Sequence, residues 1–354
     1  MCETLIILSP GFPANEDDTT CLPALQLPVK AIKKMHPELE VIVIAFQYPF
    51  SLATYEWHGC TVVSFNGQNK GKGLRLAVWM RVWSKLRALL KEKNVIGILS
   101  FWCTECALVG HRFGLRYGVQ HINWVLGQDA LPTNKYVARI KPKADELVAM
   151  SDSIAEVFQK NHHILPAHII GNGIDPSLYT EGTGIRDIDI IGAGSLIPLK
   201  RYDIFIEIIK ELSKANPAIK CLLAGKGEME DRLKEMVNGA GMQNNITFLG
   251  EVPHKEIIYL MQRAKILLHP SDYEGYSTVC SEALFAGAHV VSFCKPLKHD
   301  IDHWHIVRDK EEMLQQCYNI LANERDFSCI SVGLIDDNAE AFMRLFGYDK
   351  GAIE

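Results

Sequence analysis

The sequence has no long apolar run. Its longest aliphatic stretches, such as residues 41–46 and 266–269, are far shorter than the roughly 20 residues with which a helix crosses a bilayer. Residues 5–8 are also apolar, but no basic segment precedes them, and Ser9-Pro10-Gly11 follows them without a cleavage signal. We interpret this stretch as the first strand of the fold and predict a cytoplasmic protein.

An excess of charge of one sign is also missing. The 354 residues include 37 basic and 42 acidic side chains, and the formal net charge is −5. Bulk electrostatics therefore give no reason to expect nucleic acid as a partner. No sequence feature identifies an obligate protein partner.

Regularly spaced cysteines are absent as well. The ten cysteines are scattered, which indicates a reducing compartment rather than a disulfide framework. Cys103 and Cys106 have the spacing of a redox or zinc site, but a zinc site needs four ligands, or three and a water. Since no second pair lies at a suitable distance, we predict that both are structural thiols.

The chain does contain a regular alternation of short β-branched runs and longer segments with helical periodicity, which is typical of parallel sheets built from βαβ units. Strands are predicted in a first series at 4–8, 40–46, 61–65, 95–101, 121–126 and 146–150, and in a second at 189–192, 220–224, 245–249, 265–269 and 289–293. Helices are predicted at 74–93, 202–215, 229–238, 254–263, 278–286 and 310–323.

The two series are separated by the turn-rich segment 169–176. We therefore predict an α/β fold with two Rossmann-like domains, at 1–170 and 171–335, and a C-terminal helix at 336–354 that packs back on the first domain. Parallel sheets of this kind bind ligands at the carboxyl ends of their strands. We expect the two sheets to face a central ligand-binding cleft.

The strand at 265–269 is followed by a loop and a helix that together predict an anion site. Tyr276, Ser277 and Thr278 lie where the helix begins, and N–H groups at a helix start favour negative charge. Gly275 allows a ligand to approach the backbone closely.

Two glutamates accompany this loop. Glu282 lies four residues after Thr278, on the same face of the helix, and a carboxylate there can accept hydrogen bonds from both hydroxyls of a ribose. Glu274 is placed in the loop for sugar hydroxyls. The alternative is that Glu274 is a solvated loop residue and Glu282 a partner of the helix dipole.

Residues 271–291 resemble the E-x7-E segment of the retaining glycosyltransferases of family 4, which have the GT-B fold. His289 stands where that family usually has proline. The resemblance implies a nucleotide-diphosphate sugar as co-substrate, no other cofactor and no catalytic metal. It also implies that Glu274 and Lys200 act in catalysis.

Further segments resemble the same family in the same order. Residues 191–203 are similar to its glycine turn and lysine, Gly194 and Lys200, which meet the donor diphosphate. Many members have arginine where this chain has Ser195, so the positive charge there rests on Lys200, with Arg201 as a candidate helper.

Two more turns complete the resemblance on the donor side. Gly225 matches the turn after the next strand, although an ordinary turn is an equal alternative. The segment with Gly250 and Val252 resembles the one that holds the base.

The first domain resembles the family only loosely. Gly11 lies in the N-terminal loop that usually has paired glycines, and Leu126 stands where many relatives have a histidine. Gln128 and Asp129 are the nearest polar candidates on the acceptor side, with helix capping as the alternative. Residues 298–305 are rich in histidine and aspartate, and we interpret them as a polar loop facing the phosphates rather than a metal site.

The function implied by the resemblance is transfer of a hexose-type sugar to a glycan, lipid-linked or small-molecule acceptor, in the synthesis of cell-surface polysaccharide or glycoconjugate. A GT-B nucleotide-sugar epimerase or hydrolase, or a non-catalytic sugar-nucleotide-binding protein, remains an alternative. A lipid-linked acceptor would bring peripheral contact with the inner face of a membrane, but no convincing basic amphipathic helix is evident.

Overall fold

A computed structural model describes residues 2–19, 21–180, 184–295, 297–323 and 325–348. The chain divides into two compact units. The first comprises the residues up to Gly173 together with those from Ile335 onward, and the second comprises Ile174–Leu334. The division falls in the turn-rich segment around residue 170.

The first unit is built on an eight-stranded sheet with the order β3-β4-β2-β1-β5-β6-β7-β8. Its strands are parallel except for the pair β3–β4. The bounds are β1 Glu3–Gly11, β2 Glu40–Tyr48, β3 Leu52–Trp57, β4 Cys60–Phe65, β5 Asn94–Phe101, β6 His121–Val125, β7 Leu147–Ala149 and β8 His168–Ile169.

All six strands predicted for this unit are present, but the sequence missed β3 and β8. β3 is an edge strand that alternates between exposed and partly buried residues, and it pairs antiparallel with β4 through a short turn. β8 has only two residues. The expectation of purely parallel pairing was therefore wrong at this one edge.

Among the described residues, five α-helices accompany this sheet before the second unit begins. They are α1 Pro23–Met35, α2 Lys72–Glu92, α3 Glu105–Tyr117, α4 Tyr136–Ile140 and α5 Asp152–His162. α2 packs Val78, Val82 and Leu86 into one core of the unit, against residues of β2 and β4. Each apolar side chain buried in this way contributes about 1.5–3 kcal/mol.

The second unit contains a six-stranded sheet with the order β11-β10-β9-β12-β13-β14, and all its recorded pairs are parallel. Its strands are β9 Ile188–Ala193, β10 Cys221–Ala224, β11 Ile246–Gly250, β12 Ala264–His269, β13 His289–Ser292 and β14 Trp304–Ile306. Its helices are α6 Tyr202–Ala215, α7 Glu230–Gly239, α8 His254–Arg263, α9 Thr278–Phe285 and α10 Lys310–Ala322.

Both faces of the second sheet are covered by apolar cores. Ile190 and Leu268 belong to the core on the side of α6 and α10, whereas Ile191 and Leu267 belong to the core on the side of α8 and α9. This arrangement explains the nearly continuous apolar strands of the sequence. The segment 298–305 is not all loop, because β14 begins at Trp304 within it.

The last helix, α11 (Ile335–Leu345), belongs to the first unit and packs on α1. The Phe342 ring lies edge-on to Trp124 with centroids 5.0 Å apart. The predicted helix 336–354 is too long, since it ends at Leu345 and Gly347 has a φ of 67°. Residues 349–354 lie outside the described part of the chain. Among the described residues, none of the helices is long and apolar enough to span a membrane.

Candidate functional site

The second sheet reverses its strand order between β9 and β12, from which the chain proceeds to β10 on one side and β13 on the other. Open α/β sheets bind ligands at such a point, beyond the carboxyl ends of the strands. Here the loops after β9 and β12 are joined directly. The Asp272 N–H donates to the Leu199 carbonyl (3.0 Å), and the Ser271 hydroxyl donates to the same oxygen at 3.3 Å.

Lys200 and Glu274, which lie 74 residues apart in sequence, meet at this junction. The Lys200 ammonium forms an ion pair with Glu274 Oε1. The same oxygen accepts a hydrogen bond from His269 Nε2 at 2.6 Å. The Glu274 side chain is only 11% exposed, which is not the environment of a solvated loop residue.

The charge of Glu274 follows from these contacts. Burial raises the pKa of this carboxyl, but the hydrogen bond and charge of His269, together with Lys200, outweigh burial and bring the pKa to about 2. Glu274 is therefore ionised at neutral pH, and both of its neighbours hold it in one position. Sequence reasoning did not identify His269, because it is the buried last residue of β12.

Glu282 is held in the same way by a second histidine. It lies in the second turn of α9 and is buried. Its Oε1 is 2.7 Å from Nε2 of His254, the first residue of α8. Each glutamate of the E-x7-E segment thus has its own imidazole partner. The sequence missed His254 because it lies 28 residues before Glu282.

The glycine turns after β9, β10 and β11 stack on one another. The Gly194 N–H donates to the Ala224 carbonyl (3.0 Å), and the Gly225 N–H donates to the Gly250 carbonyl (2.7 Å). Gly225 has a φ of 137°, and a Cβ there would lie 1.9 Å from the Gly194 carbonyl oxygen. Glycine is required at Gly225 for this packing. Val252, two residues after Gly250, is partly buried against the core on the side of α8 and α9.

A buried hydroxyl lies beside the first of these turns. Tyr202 begins α6 and is almost fully buried. A Cβ on Gly194 would lie 3.0 Å from its phenolic oxygen, and this oxygen has no hydrogen-bond partner among the described residues. Burial, and next the charge of Glu274, raise the Tyr202 pKa. The hydroxyl is therefore protonated and adds a donor that sequence reasoning did not identify.

Arg201 and Ser195 differ from Lys200 in their surroundings. Arg201 has a left-handed conformation with a φ of 49°, and its guanidinium pairs with Asp203 (3.1 Å) and Asp272 (3.3 Å). The hydrogen bond with Asp203 is the main reason that its pKa is raised. Ser195 is exposed. Two carboxylates thus already neutralise the candidate helper cation.

Helix α9 begins at Thr278, where the sequence predicted a helix start. Ser277 precedes it with a φ of 60°, and its hydroxyl donates to Cys280 Sγ (2.9 Å) instead of capping the helix. Tyr276 is buried, which raises its pKa, and Gly275 joins it to Glu274. The loop therefore enters the helix without a side-chain cap at its N-terminus.

The candidate residues of the first unit have different roles. Asp129 is buried, and its carboxylate accepts N–H bonds from Cys103 (2.7 Å), Leu126 (3.0 Å) and Gly127 (2.8 Å). Burial raises its pKa, while these bonds act in the opposite direction. These contacts are those of a structural residue that fixes the loop after β6. Gln128, beside it, is exposed.

Gly11 is the last residue of β1, at the carboxyl edge of the first sheet. A Cβ there would meet its nearest neighbour, Tyr48, at an ordinary 3.5 Å. The position therefore does not require glycine for packing within the chain.

The candidate metal ligands do not form a metal site in the described part of the chain, where no group of three or more His, Cys, Asp or Glu side chains has suitable geometry. Cys103 and Cys106 are buried, and burial raises the pKa of both thiols well above its usual value. His289, His303 and His305 contact one another instead: His289 Nδ1 lies 3.0 Å from His305 Nε2, and the His289 and His303 ring centroids are 4.3 Å apart.

Comparisons with known proteins give a family match that lies in the second unit. Residues 182–299 match the family model of glycosyl transferases group 1. The chain is 24% identical over 205 residues to the gpi3 subunit of phosphatidylinositol N-acetylglucosaminyltransferase from Schizosaccharomyces pombe, covering 55% of this chain and 44% of that protein. It is 25% identical over 180 residues to glycogen synthase from Mycobacterium tuberculosis, covering 49% and 43%. The chain thus spans less than half the length of these relatives.

Among solved structures, HepE from Anabaena in complex with UDP and glucose superimposes with a TM-score of 0.67 and 17% identity, covering 98% of this chain and 96% of that one. Likeness at this identity is evidence for the fold. The chain has the GT-B fold, with two Rossmann-like domains, as the sequence predicted. The family model matches residues of the second unit only.

Proposed function

We propose that this protein transfers a hexose-type sugar from a nucleotide-diphosphate donor to an acceptor hydroxyl. The observation that carries the proposal is the meeting of Lys200 and Glu274 at the strand-order reversal of the second sheet. This junction lies within the segment that matches the glycosyltransferase family model.

The contacts suggest a distinct role for each side chain. Lys200 is a point cation that suits a diphosphate, and the uncapped start of α9 supplies N–H groups and the positive end of a helix dipole. Glu282 accepts the ribose hydroxyls, and Glu274 accepts hydroxyls of the transferred sugar. The base lies along Gly250 and Val252, whose segment closes the stack of turns.

The proposed reaction retains the configuration at the anomeric carbon and requires no metal. The bond from this carbon to the diphosphate oxygen breaks, and the acceptor oxygen bonds to the carbon on the same face. The leaving phosphate oxygen takes the acceptor proton, so no protein nucleophile is needed. Lys200 and the N-terminus of α9 stabilise the charge that develops on the diphosphate, which is electrostatic catalysis by groups already in position.

The proposed acceptor is a glycan, a lipid-linked glycan or a small molecule, in the cytoplasm or at the inner face of a membrane. The names of the relatives include both a phosphatidylinositol sugar transferase and a glycogen synthase. These two names support a lipid or a polysaccharide as the class of acceptor, and we propose a role in cell-surface polysaccharide or glycoconjugate synthesis.

The test begins with thermal stability in the presence of UDP, GDP, ADP and their sugars. The true donor at 100 times its Kd stabilises the folded protein by about 2.7 kcal/mol. Lys200→Ala and Glu282→Gln are expected to weaken this stabilisation, whereas Lys234→Ala, which removes an exposed lysine paired with Glu230 on α7, serves as the matched control.

Product analysis with the stabilising donor then decides the reaction. Sugar attached to an added acceptor supports the proposal. Free sugar or an epimer as the sole product would instead identify a hydrolase or epimerase. Tight nucleotide binding with no product of any kind would identify a non-catalytic binding protein.

A further inference from the structure

Arg201 has a backbone conformation that arginine rarely adopts. Its φ and ψ are 49° and 42°, in the left-handed region, which glycine and asparagine tolerate better than arginine does. The residue lies between the turn Pro198–Lys200 and the first residue of α6. A strained residue of this kind persists when its surroundings fix it, and such residues cluster at functional sites.

The Arg201 side chain joins two carboxylates. Its Nη2 lies 3.1 Å from Asp203 Oδ2, in the first turn of α6. Its Nη1 lies 3.3 Å from Oδ1 of Asp272, which is 71 residues further along the chain. Because the guanidinium carries its donors in a fixed planar arrangement, contact with Asp203 on one side orients the other side toward Asp272. Arg201 therefore connects the loop after β9 to the loop after β12.

The ion pairs of Arg201 do not explain its strained backbone by adding to the stability of the fold. The side chains of Arg201, Asp203 and Asp272 are 37%, 30% and 52% exposed, and ion pairs at such exposure contribute little to folding. A left-handed arginine costs more free energy than one such pair contributes. The role of Arg201 therefore lies in the geometry of the site.

Two neighbouring ion pairs hold the loop that carries Glu274. Lys200 and Arg201 are consecutive on the loop after β9, and they pair with Glu274 and Asp272, which lie two residues apart on the loop after β12. The main chain is joined at the same place, where the Asp272 N–H donates to the Leu199 carbonyl (3.0 Å). The position of Glu274 thus depends on two adjacent cations of one neighbouring loop.

A bound donor acts differently on the two ion pairs. In the proposed reaction Lys200 contacts the diphosphate, so its interaction with Glu274 is weakened by competition. The diphosphate also brings negative charge toward a loop that carries two carboxylates, and like charges repel. The pair between Arg201 and Asp272 needs no contact with the diphosphate, and it can hold the loop while Lys200 is engaged.

We infer that Arg201 is a positioning residue: through Asp272 it keeps Glu274 in place for the transferred sugar while Lys200 contacts the diphosphate. The inference rests on the proposed function and assigns Arg201 a role other than phosphate binding. For direct contact with the diphosphate, the guanidinium would have to leave at least one of its two carboxylates.

The first test needs no donor. Hydrogen exchange followed by mass spectrometry reports on the backbone of residues 270–277 in the full-length protein. Asparagine tolerates the left-handed conformation, so Arg201→Asn removes the guanidinium without forcing a backbone change. Since either ion pair can hold the loop, Lys200→Ala and Arg201→Asn should each raise exchange there by at most about twofold, and the double variant by at least about tenfold.

Two results of this measurement would overturn the inference. One is a double variant whose effect is no larger than the product of the two single effects. The other is faster exchange in every segment of the second unit, which would show a general role in folding.

The second test uses the nucleotide donor that stabilises the protein. Arg201→Asn and Asp272→Asn should each leave the Kd of the free nucleoside diphosphate nearly unchanged and lower kcat about tenfold to a hundredfold, because Glu274 moves away from its position. Combining them should cause no further loss, since both break the same pair. Weaker nucleotide binding by Arg201→Asn would show that Arg201 contacts the diphosphate and would overturn the inference.

Arg263→Ala is the matched control. Arg263 pairs with Asp187, just before β9, and the two side chains are 31% and 40% exposed. The variant therefore loses an arginine–aspartate pair of similar exposure at the other end of the strand, and exchange at 270–277, Kd and kcat should match the natural chain. Effects equal to those of Arg201→Asn would overturn the inference. If the natural chain transfers no sugar, the proposed function fails, and hydrogen exchange still decides whether the two ion pairs hold the loop.

Discussion

The paired arrangement of glutamate and histidine gives the candidate site its fixed geometry. Glu274 is bound by His269 and Glu282 by His254, and in both cases an imidazole Nε2 faces a buried carboxylate oxygen. Because the carboxylates accept, the imidazole nitrogens must donate. Each histidine is therefore a positioning residue that acts through its glutamate.

We predict that the two histidines have separable effects. His254→Leu should weaken binding of the free nucleotide about tenfold to a hundredfold, since Glu282 loses a hydrogen bond to a charged group worth about 1.5–3 kcal/mol. His269→Leu should leave nucleotide binding nearly unchanged and lower kcat by a similar factor, because in the proposed reaction Glu274 binds the transferred sugar. Calorimetric titration and steady-state kinetics measure the two effects.

The controls for this prediction are His254→Gln and His269→Gln, whose amide nitrogen can replace the lost donor. They should recover part of the lost function. If both leucine variants weakened nucleotide binding and turnover equally, the division of roles between the two glutamates would be refuted.

Sequence reasoning identified only the glutamate of each glutamate–histidine pair. Glu274 and Glu282 were found because they lie in one short segment with a fixed spacing. His254 and His269 lie on other elements, and their contacts form only when α8 and β12 are brought against that segment. For Asp129 the sequence left a contact on the acceptor side and helix capping as alternatives, and in the structure its carboxylate accepts hydrogen bonds from backbone N–H groups.

Among the structural elements, the stack of glycine turns offers a direct test of why these loops stay together. Gly225→Ala places a Cβ 1.9 Å from the Gly194 carbonyl at a φ of 137°. We predict that it lowers the free energy of unfolding by about 1–3 kcal/mol or more, and that it weakens nucleotide binding. Denaturant unfolding and calorimetric titration are the measurements.

The matched change is Gly239→Ala at the last residue of α7. A Cβ there meets nothing within 4 Å, so the substitution should stabilise the protein by about 0.4–1 kcal/mol by restricting the unfolded chain. Equal effects of the two substitutions would show that the turn stack carries no special constraint.

Most strands and helices were predictable because they have strong periodicity and are covered on known faces. α6 and α8 have the predicted bounds, since each lies between clear turn signals. β14 was missed because three residues within a polar segment give no periodic signal, and β3 because an exposed edge strand forms through its partner.

For the molecule as a whole, the contacts among His289, His303 and His305 predict acid sensitivity. Burial, followed by the charges of the other two histidines, lowers the His289 pKa from 6.5 to about 4. Burial, followed by His303, lowers the His305 pKa from 6.5 to about 4. Between about pH 6.5 and 4, these two histidines therefore bind protons in the unfolded chain but not in the folded protein.

The sign of the effect follows. This contribution to stability is fully present above about pH 6.5 and is lost as the pH falls toward 4. Two unscreened shifts of this size correspond to about 7 kcal/mol, and because both imidazoles are partly screened by solvent we expect a decrease of about 2–3 kcal/mol. Chemical denaturation at a series of pH values measures it. His289→Asn/His305→Gln should flatten the pH dependence between 6.5 and 4, and an unchanged slope would contradict the assignment.

A second whole-molecule prediction concerns α11. Phe342 is fully buried and its ring contacts Trp124, so Phe342→Ala should lower the free energy of unfolding of the first unit by about 3–5 kcal/mol. The proposed donor site lies in the second unit, so stabilisation by nucleotide should persist at temperatures below the first transition. Leu345→Ala on the same helix, at a partly buried position, should have a smaller effect, and equal losses would contradict this account.

The return of α11 to the first unit also sets an order for protein synthesis. The second unit is a continuous segment, whereas the first combines residues before and after it. A ribosome delivers the second unit complete while the first still lacks α11, which covers Trp124, and Phe346 just after it, which covers the β5 surface at Gly97, where a Cβ would lie 2.2 Å from its ring. During translation the chain therefore exposes an unfinished apolar surface on its earliest part, and a chaperone that binds nascent chains would have its longest access there.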